Sequence, residues 1–162
     1  MTVTASTFAA RLTAAAAAMR DLRSAVEARE PWPLAEHFGT EPEASWGPRE
    51  VLTHVAEMLP YWRGEIERIL DGHEPPFGRV ADDPIRTLTI GRDRTLPIRE
   101  LFARIDAGVH RYEPFLENLS ADDLERAGIH PTRGRLTIAD VLETNVVGHL
   151  EGHVVQLRET LT

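Results

Sequence analysis

Residues 136–157 read LTIADVLETNVVGHLEGHVVQL, and their spacing decides the fold. Thr137 and Asp140 stand in capping-box spacing, with Asp in place of the usual Glu, so a helix opens there. At about 100° per residue, Leu142, Val146, His149, His153 and Leu157 fall within about 80° of one another. That stripe predicts a bundle helix over residues 137–161 with two histidines inside its buried face.

Three earlier segments carry the same period, and none alternates as a strand. Over residues 6–29, Phe8, Leu12, Ala15, Met19, Leu22 and Val26 recur at steps of four and three. A second helix is predicted over 48–71. Pro48 suits its first position, Val51, Val55, Met58, Trp62, Ile66 and Ile69 face inward, and Pro60 predicts a kink near Ala56. The third, over 98–119, turns Leu101, Phe102, Ile105, Val109, Tyr112, Phe115 and Leu116 inward, and Pro114 bends its last turn. Residues 120–128 read as a short capped turn. About 25 residues, 72–96, rich in Pro, Gly and charge, separate the second helix from the third. A crossover of that length lets those two helices run in the same direction. The expectation is an all-α four-helix bundle forming one domain over 1–162.

Composition removes several chemistries. The net charge of −8 argues against a nucleic-acid partner. Cysteine is absent, so thiolate metal sites, disulfides and a cysteine nucleophile are excluded. All 18 basic residues are arginine, which removes Schiff-base chemistry and a P-loop lysine. Arg20 and Asp21 cut short the alanine run 14–18, and no apolar stretch approaches a membrane span. A cytoplasmic protein without a membrane partner is expected.

His149 and His153, four apart, project from one side of their helix and can reach one ion. Two imidazoles in an apolar stripe need partners for their nitrogens, and a metal ion satisfies both. His54 lies about 75° from the centre of the second helix's stripe, at the edge of its buried face. At about 1.5 Å per residue it sits about 9 Å from its helix start, and the pair lies roughly 12 to 18 Å from the end of theirs. The three share a level only if the second and fourth helices pack antiparallel. Three neutral imidazoles without a further evident protein ligand suit zinc, nickel or iron and leave positions open for water or substrate. His37, His73 and His130 fall in predicted loops and His110 on an outward face, so all four read as surface residues. Trp46 and Trp62 are candidates to line a substrate pocket, and Glu57 and Asn145 to support the ligands or move a proton.

The chain resembles the DinB/YfiT-like superfamily of metalloenzymes. The resemblance rests on WGPREVLTH at residues 46–54, on LTIADVL at 136–142, and on HLEGHVVQ at 149–156. It implies an up-down-down-up bundle, a triple-His site for zinc or nickel at His54, His149 and His153, and a homodimer. It also implies transferase or isomerase chemistry with small thiols such as mycothiol or bacillithiol. The leading expectation is therefore a metal-dependent enzyme acting on a small molecule, with a low-molecular-weight thiol supplying the thiolate this chain lacks. A metal-dependent hydrolase and a non-catalytic metal- or ligand-binding dimer in a stress response are the alternatives.

Overall fold

The Thr4 hydroxyl accepts the Thr7 N–H at 3.2 Å and starts α1 (Ala5–Asp21). After a single tightened turn at Leu22 the chain continues as α2 (Arg23–Ala28), so the first predicted helix is two. A 3-10 turn (Glu43–Ser45) precedes α3 (Pro48–Asp71), the longest helix, which runs unbroken through the exposed Pro60. Then come α4 (Pro84–Asp93), α5 (Ile98–Glu117) and α6 (Ala121–Glu125). A hairpin of β1 (Ala127–His130) and β2 (Gly134–Thr137) leads into the last rod. That rod is α7 (Ile138–Val141), a π-helical stretch (Leu142–Val147) and α8 (Gly148–Glu159). This computed structural model describes residues 3–38 and 43–162.

The four long rods form the four-helix bundle that the periodicity predicts. Phe8, Leu12 and Met19 of α1, the apolar row of α3, Leu101, Ile105 and Tyr112 of α5, and Leu142, Leu150 and Leu157 of the last rod share one buried cluster. Each such side chain contributes about 1.5–3 kcal/mol on burial. The Tyr112 hydroxyl donates to the Leu59 carbonyl at 2.7 Å and ties α5 to α3 inside that core.

Arg49, at the start of α3, donates to the Leu96 carbonyl just before α5, and Arg63 and Leu70 further along line one groove with Pro114 and Phe115. These two helices run parallel, as the crossover allows. The last rod runs the other way. Arg126, whose carbonyl accepts the first N–H of α7, reaches Gly72 at the end of α3, whereas Gln156 of α8 donates to the Glu43 carbonyl before α3 begins. The antiparallel pairing required by the histidines is therefore present.

The segments between helices hold more structure than the sequence suggests. Residues 72–96 contain α4, with Asp83 as its cap and Pro84 in its first turn. The Phe77 N–H donates to the Ile129 carbonyl and the Ile129 N–H to the Pro75 carbonyl, which stitches this crossover to β1. The four-residue strands lack alternation because Ala127, Gly128 and His130 supply small or polar side chains where a pattern would need large apolar ones.

Candidate metal centre

His54 enters the site from the second turn of α3, and His149 and His153 from the first half of α8. What sets the angle of α8 is the π-helical stretch before it. Gly148 donates its N–H to the Glu143 carbonyl five residues back. A Cβ on residue 148 would lie 2.3 Å from that oxygen, so this wide turn requires glycine. The inserted residue rotates the helix beyond it by roughly 100° relative to an unbroken one. The buried stripe consequently passes through Val146 and Val147 to Leu150, Val154 and Leu157. His149 swings to the edge, its side chain 25% exposed, while those of His54 and His153 are 3% and 5% exposed. This reverses the expectation that His149 is buried and His54 lies at the margin.

The three rings converge. Their centroids are 4.6 to 5.2 Å apart, and the Nε2 atoms of His54 and His149 are separated by 3.2 Å. A fourth donor joins them, contrary to the expectation that no further protein ligand is evident. Glu43 brings its carboxylate oxygens to 3.7 Å from His54 Nε2, 3.6 Å from His149 Nε2 and 3.7 Å from His153 Nε2. One ligand atom from each of the four lies within 4.8 Å of all the others. Ligand atoms that each stand 2.0–2.1 Å from one tetrahedral ion are about 3.3 Å apart, so the spacing fits a shared divalent cation. Glu43 escaped the sequence reading because a lone carboxylate in a turn has no periodicity to announce it.

The surrounding groups orient these donors. Gln156 Oε1 lies 2.9 Å from His153 Nδ1, so that nitrogen carries the proton and Nε2 presents its lone pair. His153 Nε2 is buried without a hydrogen-bond partner, as is His54 Nδ1, which faces Glu57 Oε2 at 3.4 Å. A buried polar atom left in this way costs free energy, and at His153 Nε2 a bound ion would recover it. Burial, then the neighbouring His149, holds His54 well below the ordinary histidine range and brings His153 down to about 4. Both rings are therefore neutral, as ligands must be, at neutral pH. Burial works against ionisation of Glu43, but His149, His54 and Arg86 outweigh it and hold the carboxyl down to about 2. Burial raises Glu57 despite its ion pair with Arg79.

Outside the donors lies a cavity of about 320 Å³ bordered by His54, His149 and Glu43. Trp62 and Asn145 also line it. Trp46 is buried with its ring edge-on to His54 at 5.3 Å, backing the ligand instead of facing the cavity. Asn145 is occupied by Arg133, 2.6 Å from its Oδ1. His130 is not a surface residue. It is 5% exposed and stacked on Trp62, because the unforeseen hairpin folds it inward. His37, His73 and His110 are exposed as expected.

The sequence profile of the DinB superfamily matches residues 7–157. No curated protein matches the chain. Among solved structures, YfiT from Bacillus subtilis, described as a probable metal-dependent hydrolase with an unusual four-helix bundle topology, superposes with a TM-score of 0.77. The two are 18% identical over 98% of this chain and 88% of that one, a likeness that carries the fold.

Proposed function

The chain belongs to the DinB superfamily, and on that premise we propose that it is a metal-dependent enzyme acting on a small molecule, with His54, His149 and His153 holding a divalent ion. One observation carries the reading: imidazole lone pairs and a carboxylate converge within 4.8 Å beside a cavity that reaches the same residues. When bound, such an ion lowers the pKa of a coordinated thiol or water towards neutrality. Zinc or nickel suits the imidazole-rich donor set best, with iron also compatible.

In this reading His54 and His153 are fixed ligands and His149 is the ligand nearest solvent. Glu43 is ionised, borders the cavity and lies within 4 Å of all three rings, so it can join the coordination. Two nucleophiles fit. A low-molecular-weight thiol would supply the sulfur a cysteine-free chain lacks, giving S-transfer or isomerisation. Water would give hydrolysis, the activity named for the structural neighbour. Among the described residues no helix is long and apolar enough to cross a membrane. A cytoplasmic location and a homodimer belong to the proposal, the latter supported by the neighbouring exposed side chains of Ile85 and Leu88 on α4.

Metal analysis of protein purified without chelators tests the reading. We expect about one zinc, nickel or iron per chain and none in His149→Ala. Loaded protein is then assayed for thiol transfer with several small thiols and for ester and amide hydrolysis. Failure of wild type to take up any of these metals overturns the proposal. Uptake without turnover of any substrate favours the non-catalytic binding module.

A further inference from the structure

The cavity beside the histidines is also lined by three arginines, Arg79, Arg86 and Arg133, and their charges are not equally compensated. Arg86 is buried in an ion pair with Glu43 and also donates to the Ala81 carbonyl. Arg79 is buried against Glu57, with its guanidinium 3.8 Å above the Tyr61 ring. Arg133 differs. Among the described residues it donates only to neutral oxygens, Thr144 Oγ1 at 3.2 Å and Asn145 Oδ1 at 2.6 Å.

The fold holds the backbone that carries this guanidinium in place. Arg133 sits in the hairpin turn, and His130 Nδ1 accepts the backbone N–H groups of Thr132 and Arg133 at 3.2 and 3.3 Å. His130 is itself clamped between Trp62 and Phe77. Gly78, with a φ of +80°, passes so close that a Cβ there would lie 2.5 Å from the His130 ring. Asn145, which receives Arg133, lies four residues before His149. The result is an uncompensated, preorganised cation facing the same cavity as the candidate metal ligands. Arg133 is solvent-exposed, and its two side-chain hydrogen bonds reduce the conformational entropy it would lose on binding an anion.

We propose that Arg133, with Asn145 and Thr132 beside it, is an anion subsite, and that the substrate is a small molecule bearing an oxyanion. The planar guanidinium pairs with a carboxylate or phosphate through parallel N–H donors. The anionic end lies at Arg133 and the reacting end at the histidines. The inference rests on the metal-enzyme reading for the second of these statements, and on the cavity alone for the first.

The test is calorimetric titration of the whole protein, with and without one equivalent of zinc, using succinate, inorganic phosphate and uncharged succinamide as probes. Wild type should bind succinate or phosphate in the metal-free form and succinamide not measurably. Whichever anion binds more tightly identifies the oxyanion. Arg133→Gln should weaken that binding about 10-fold or more while its zinc affinity and melting temperature stay unchanged, and Arg133→Lys should recover part of the loss. Equal binding of succinamide, no binding of either anion, or unchanged binding in Arg133→Gln each overturns the proposal. Arg133-dependent anion binding in a protein that takes up no metal would sustain the subsite and reject the metal centre; zinc uptake without anion binding would do the reverse.

Discussion

Glu50 and His54 stand one turn apart on α3, both buried, and they anchor two polar clusters that behave differently. Glu50 Oε1 accepts the Ala35 N–H at 2.8 Å and an Arg94 N–H at 3.1 Å, and Arg94 also donates to the Ala35 carbonyl. Its other oxygen has no hydrogen-bond partner and lies 3.3 Å from where a Cβ on residue 47 would stand. Here an anion meets a cation and an N–H, and the pair staples the segment before α3 to the segment before α5. Around His54 the arrangement differs. Ligand atoms of three imidazoles and a carboxylate crowd within 4.8 Å of one another, with Arg86 paired to the carboxylate. Burial of polar groups is common to both clusters. What separates them is composition: the Glu50 carboxylate is met by a cation and an N–H, whereas at His54 a single cation, Arg86 on Glu43, faces four groups that can each ligate a metal.

The sharpest break of this comparison is removal of a ligand. His153→Ala and His54→Ala should each reduce metal affinity by 1,000-fold or more, measured by metal content and competition with a chelator. The metal-free variants should melt within a few degrees of metal-free wild type, because an unpartnered buried nitrogen is lost with the ring. Collapse of the metal-free fold would show the histidines to be structural like Glu50. Glu50→Ala should do the converse: lower the unfolding free energy by about 3–5 kcal/mol in urea denaturation, since it leaves the Arg94 charge buried unpaired, with no change in metal affinity below the transition.

A pH series sharpens the contrast further. The folded-state pKa of His153 is depressed to about 4 from an unfolded value near 6.5. Between these values the unfolded chain binds the extra proton, so metal-free stability is full above pH 6.5 and falls as the pH drops towards 4. The loss amounts to about 3 kcal/mol for the whole window, on the order of 1.4 kcal/mol per pH unit. His153→Leu should flatten the part of the slope due to this ring in denaturation at stepped pH; an unaltered slope would remove His153 from the account. The smallest effect belongs to Gln156→Leu, which frees the His153 ring to rotate and change tautomer. Metal affinity should fall 10- to 100-fold with stability nearly unchanged. Unchanged affinity would mean that packing alone holds the ring.

Periodicity carried most of the fold. Phe8 to Val26, Val51 to Ile69 and Leu101 to Leu116 are apolar at helical spacing, and these faces are turned into the core or packed against it, with Val51 joining a smaller cluster of Trp46 and Ile90. Pro48 and the Thr137–Asp140 box marked helix starts through local hydrogen-bond chemistry, which nearby residues suffice to determine. The hairpin was illegible because its strands are short and take their register from Pro75 and Phe77, about fifty residues earlier.

The same division runs through the site. The four-residue step from His149 to His153 survives in α8 because it depends only on helical rise, and His54 meets the pair because α3 and the last rod run antiparallel. By itself the sequence determined which imidazoles can share a side and a level. The tertiary structure decided how deeply each is buried, since one glycine-dependent π turn rotates α8. It also decided that Glu43 completes the donor set and that Arg133 faces the same cavity. Those atoms come from a turn and a hairpin far apart along the chain, and only chain folding determines the distance between such segments.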